Sequence, residues 1–141
     1  MSKENNKDDM DLSIAAELKK RGDMPMPMFR DFVGYVSDID PHGDINLVRH
    51  DWNCLVCMDV SDEFIQLLNR LGEKGLLVSR RMDHMEAMFV HAYDSVEMYN
   101  LPVANKIPKN GYKKRRWAPV LVKAAETVPY PSPDPRGSHE T

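Results

Sequence analysis

The sequence predicts a small α+β domain, an antiparallel sheet of about five or six strands with one main helix, 61–75, packed on it. Residues 54–60 (CLVCMDV) form an apolar run of strand length. Residues 61–75 carry apolar side chains at helical spacing between a capping serine and a terminal glycine. The remaining runs rich in Val, Ile, Phe and Tyr are separated by turn residues, as strands are. A length of 141 residues suits one domain, and 42% hydrophobic with 29% charged residues is ordinary for a globular chain.

Residues 1–11 are polar and charged and are expected to be disordered. Asp11 is placed to cap a short helix, 12–21, which Gly22 ends. Residues 24–28 (MPMPM) read as an extended connector because proline disfavours helix at the residue before it. Together these make 1–28 a flexible arm with a short helix, ahead of a folded domain 29–123. Within that domain, 29–39 and 44–50 read as a hairpin around Asp40-Pro41-His42-Gly43, which has the residues of a type I turn. The strand 54–60 follows.

Ser61 then caps the main helix, with Asp62 and Glu63 in its first turn. Phe64, Leu67, Leu68 and Leu71 fall at i, i+3, i+4 and i+7 and form one buried stripe. A second hairpin is expected from 76–82 and 87–93 across residues 83–86. Asn110-Gly111 signals a third, folding 106–109 back on 112–117. The last strand, 117–123, is expected at a sheet edge because of Pro119. Residues 124–141 read as a disordered Pro-rich tail.

Composition narrows the function classes. No run approaches the ~18 apolar residues of a membrane span, and the first twenty residues lack the apolar core of a signal peptide. Two cysteines in one strand are no secreted disulfide framework, so the expected compartment is the cytoplasm. Cys54 and Cys57 form C-x-x-C, but residues three apart on a strand point to opposite faces, so buried structural thiols are expected. The chain has no Gly-rich phosphate loop, no G-x-S-x-G and no H-E-x-x-H. A non-enzymatic protein without a cofactor is expected.

Asp38, Asp40, His42, Gly43 and Asp44 resemble the first half of an EF-hand calcium loop. Arg49 stands where the bidentate glutamate belongs, and strands replace the flanking helices; divalent-metal binding at 38–44 stands as an alternative reading. Leu71, Lys74-Gly75-Leu76, Arg80-Arg81 and the apolar run after them look like the last helix and wing of a winged-helix regulator of the MarR type. Such a fold needs two helices immediately upstream, where residues 29–60 read as strands.

The net charge of −3 conceals a segregation. The N-terminus is acidic, whereas 106–116 holds Lys106, Lys109, Lys113, Lys114, Arg115 and Arg116 with no acid among them. Tyr112 and Trp117 lie alongside, and Arg80 and Arg81 would extend the patch from a neighbouring strand. Cations along a backbone with aromatics for stacking are what RNA or DNA binding requires. The expected function is therefore a nucleic-acid-binding module using the basic hairpin 106–117. Two other readings stand beside it: an acidic protein partner for the same arm, and an adaptor whose Met-Pro segment and Pro-rich tail bind proteins.

Overall fold

In the computed structural model, which describes residues 3–131, the chain is a single α+β domain with four helices and two three-stranded sheets. The order is α1 (Lys3–Arg21), β1 (Met24–Pro25), α2 (Met26–Val36), β2 (His42–Arg49), β3 (Cys54–Val60) and α3 (Asp62–Glu73). Then come β4 (Leu77–Arg81), α4 (His84–Tyr93), β5 (Arg116–Trp117) and β6 (Val120–Ala124). One sheet has the order β1-β6-β4, all antiparallel; the other is β2-β3-β5, with β3 and β5 parallel. The α+β class agrees with the sequence, but the strands are divided between two sheets.

The main core lies between these layers. Ile14 and Leu18 of α1, Phe29 and Val33 of α2, Cys57 and Val60 of β3, Phe64, Leu67 and Leu71 of α3, and Val122 of β6 form one buried cluster. Helix α3 is as expected: Ser61 Oγ accepts from Phe64 N–H at 3.1 Å, and Gly75 after its end has a left-handed φ of 68°.

Several segments differ from expectation. Residues 29–36 are helix, because Met26, Phe29, Arg30 and Val33 recur at helical spacing and all are buried. Pro27 sits in the first turn, where the missing N–H costs nothing. The boundary at 29 thus falls inside α2, and the hairpin 29–39/44–50 does not exist. Strand β2 pairs with β3 across residues 50–53 instead. Nor does the described part of the expected flexible arm 1–28, residues 3–28, stand apart from the domain. Helix α1 begins at Lys3, and Ile14, Ala15, Leu18, Met24 and Met26 are all buried.

Residues 87–93 belong to α4. Asp83 Oδ1 accepts from Glu86 N–H at 2.8 Å, a capped start that overrides the strand propensity of Phe89 and Val90. No wing is therefore present. Pro119 precedes β6 and is outside the ladder, so β6 is the central strand of its sheet; the Pro119 carbonyl accepts from Met82 N–H at 2.8 Å. Residues 125–131 continue along α1, with Val128 buried against Ala15 and Ala16. The rest of the expected tail, 132–141, lies outside the described residues.

Two buried charges are built into this core. Asp11 is fully buried and accepts from Arg70 Nε and Nη2 at 2.9 and 3.0 Å and from Lys74 Nζ at 2.7 Å. Arg30 bonds Glu97 at 2.7 Å, Asp31 at 2.9 Å and the Met58 carbonyl at 2.7 Å. Burial opposes the charge of Arg30, but the bonds to Glu97 and Asp31 outweigh it and its pKa is raised.

Cys54 and Cys57 are free, buried and in separate apolar clusters. Burial pushes the Cys57 thiol from 9.0 up to about 11, against the pull of its bond from Tyr99, whose hydroxyl is itself raised by burial. The folded chain then holds a proton that the unfolded chain releases above about pH 9. This stability is complete below pH 9 and lost as pH rises towards 11. Urea midpoints at pH 8 and pH 10.5 should fall with pH in the parent and fall less in Cys57→Ala.

Candidate nucleic-acid interface

The basic region is built on the β2–β3 turn. Trp52 N–H donates to Arg49 O at 3.2 Å and Asn53 N–H to His50 O at 3.1 Å. Asn53 adopts φ 57°, a left-handed conformation that asparagine tolerates. The segment 104–116 docks against this turn. Tyr112 N–H donates to Trp52 O at 3.0 Å and Arg116 N–H to Asn53 O at 3.3 Å. The Asn53 side chain completes the clasp, donating to Tyr112 O at 3.0 Å and accepting from Arg115 Nε at 2.8 Å.

The Asn110-Gly111 hairpin does not form. Gly111 serves a close approach to the turn: its φ is 80°, and an added Cβ would lie 2.6 Å from the Asp51 carbonyl oxygen. The Tyr112 hydroxyl donates to Lys106 O at 2.8 Å and accepts from Asn105 N–H at 3.1 Å, which closes the loop on itself. The arm is therefore a fixed loop held by the turn, and only Arg116 and Trp117 join a sheet.

Most of the expected cations meet here. Arg81 donates to the carbonyls of Ala104 and Asn105 at 3.4 and 3.0 Å, which brings β4 to the arm. Arg81, Arg115 and Arg116 act together on the Cys54 thiol, which burial raises and these three cations lower. Lys106, Lys109, Lys113, Lys114 and Arg115 are exposed and Arg116 is half-buried over the Tyr112 ring, 4.5 Å from its centroid. Among the described residues none of these cations, nor Arg81, has a carboxylate within ion-pair distance.

Two expected members are placed otherwise. Arg80 pairs with Glu86 through two bonds, 2.8 and 2.6 Å, which hold the Glu86 carboxyl below its usual range. Trp117 is buried, edge-on to His91 and Tyr99 with centroids at 5.0 and 5.5 Å, and offers no face to a base. Beside Tyr112, the aromatic at the site is Trp52, with Arg49 at 3.7 Å and Arg81 at 5.3 Å from its ring centroid. Arg49 is answered by Asp51 at 2.8 Å and depresses that carboxyl. The sequence signal for Trp52 and Asn53 was an aromatic beside an asparagine in a polar turn between two strands.

Beside the turn, a groove of ≈ 420 Å³ runs between the two sheets and α3. Leu47, Val56, Ile65 and Leu68 line its floor, with Arg49, Trp52 and Arg81 among its other lining residues. A separate hollow of ≈ 650 Å³ lies at the Asp-rich segment, lined by Asp31, Asp38, Asp40 and His42 among others. His42 Nε2 lies 2.7 Å from Asp31 Oδ1, which also bonds Arg30. Among the described residues no three His, Cys, Asp or Glu side chains are grouped to hold a metal ion. No described helix is long and apolar enough to cross a membrane. No family model, curated protein or solved structure matches the chain.

Proposed function

We propose that the protein is a non-catalytic module that grips the sugar-phosphate backbone of RNA or DNA on the platform formed by residues 49–53, Arg81 and 104–116. One observation carries this reading: seven cations stand on one clasped loop and its neighbouring strand, none with a carboxylate partner among the described residues. Uncompensated guanidinium and ammonium groups on a rigid support are suited to phosphate oxygens. Trp52 and Tyr112 are already covered by arginines, so contact with bases would pass through guanidinium planes and favour no particular sequence. The adaptor reading loses its Met-Pro element, because Met24 and Met26 are buried in the protein's own core.

Fluorescence anisotropy with a labelled oligonucleotide tests the proposal. The affinity should fall steeply with salt, and alanine at Lys113, Lys114 or Arg115 should each reduce the log–log slope by about 1. Changing Lys109, Lys113 and Lys114 to glutamate should abolish binding and leave the melting temperature unchanged, since all three are exposed and their side chains take no part in the clasp. Equal binding by the parent and the glutamate variant overturns the proposal.

A further inference from the structure

Helix α4 turns an apolar face outward. Met85, Met88, Phe89, Ala92 and Tyr93 recur at i, i+3, i+4, i+7 and i+8, the spacing of a single helix face, and all are exposed. Phe89 is 72% and Tyr93 90% exposed, whereas Ala87 and His91 on the opposite side are buried. A helix with an apolar stripe on the solvent side is the reverse of what folding alone selects, and such patches mark interaction surfaces.

The face has relief as well as area. Next to it lies a hollow of ≈ 320 Å³ lined by Met88, Met98, Leu101, Val103 and Trp117, among others. His84 and Met88 of α4 line the hollow, whereas the exposed Phe89 and Tyr93 do not. A surface that carries both exposed aromatic side chains and a neighbouring recess can meet its own copy about a two-fold axis, each protomer inserting into the other.

We propose that this face is a self-association surface, pairing α4 of one copy with α4 of a second and seating Phe89 of each in the hollow of the other. The area is sufficient. Aromatic side chains offer ~150–250 Å² each, so Phe89, Tyr93 and the three exposed methionines present on the order of 600 Å², most of the ~800 Å² per partner of a standard interface. Antiparallel helices also set the N-terminal end of one dipole against the C-terminal end of the other.

Other occupants fit less well. The C-terminal segment of the described residues is already placed against α1, where Pro131 lies near Leu12 and Ala16. A membrane surface selects helices with lysine and arginine on the polar face, and α4 contains neither. Its flanks carry Asp83, Asp94 and Glu97, which anionic lipid repels.

Sedimentation equilibrium of the full chain at ~100 µM, enough to populate an interface with Kd ~10 µM, reads the outcome. The parent should be dimeric. Phe89→Glu and Met98→Lys should each be monomeric with unchanged circular dichroism, because both side chains are exposed. Mixed in equal amounts, the two variants should recover a heterodimer. The carboxylate introduced in one then meets the ammonium introduced in the other, while the reciprocal contact is intact. A monomeric parent at this concentration, variants that stay dimeric, or a mixture that stays monomeric overturns the proposal. Because the readout needs no nucleic acid, it stands apart from the test of the basic platform.

Discussion

Phe64→Ala is expected to cost about 3–5 kcal/mol and to lower Tm by roughly 10–20 °C. Phe64 is fully buried at the point where α3 faces β3 and α2, and its ring centroid is 6.0 Å from that of Phe29. Leu67 and Leu71 on the same stripe and Val60 before it are held by rigid backbone, so the space left by the ring is not refilled by local collapse. Urea denaturation of parent and variant by circular dichroism measures the loss. A value below ~1 kcal/mol would mean that the ring is not enclosed as described.

Arg70→Met is expected to cost about 2–4 kcal/mol, although Arg70 is at the surface end of its ion pair. The cause is its partner. Asp11 has no exposed side-chain surface, and Arg70 supplies two of its charge-assisted bonds. Without them a buried carboxylate keeps only Lys74 of these partners on α3 and its C-cap. The remaining ammonium places the cost towards the lower end of the range for a broken buried pair. Adding Asp11→Asn should return part of the loss, since it removes the charge that was stranded; a double variant less stable than Arg70→Met by the same urea assay would refute this account. The pair also ties α1 to α3, so hydrogen exchange in α1 should accelerate with the single change.

The residues that follow one local rule were legible. Helix α3 has cap, dipole-matched acids, apolar period and terminal glycine in agreement, and it forms as its sequence indicates. Strand β3 is equally consistent. Helix α2 reads as a strand because Phe29, Phe32, Val33 and Tyr35 have strand propensity, which the period of its buried residues and the first-turn proline outweigh. Asp83 and Glu86 form a capping pattern ahead of α4 that is masked by the apolar run after it.

The site was half legible. Charge counting along 106–116 locates the arm, but it cannot supply the support, because the contacts that fix the arm join residues about sixty positions apart. Asn110-Gly111 shows the limit well. Local preference names the residue that permits a left-handed turn, and tertiary contact decides that the freedom is used to approach the β2–β3 turn.

The chain between Arg116 and Ala124 has a mechanical consequence. It leaves one sheet at Trp117 and enters the other at Val120, with only Ala118 and Pro119 between. Ala118 N–H still bonds Leu55 O at 2.9 Å, while Pro119 O accepts from Met82 N–H at 2.8 Å, so each residue of the link is pinned to a different sheet. A link so short carries no slack. Neither sheet has the freedom to open while the other stays closed, and a load applied to the basic loop passes along the chain to the centre of the opposite sheet without a hinge to absorb it.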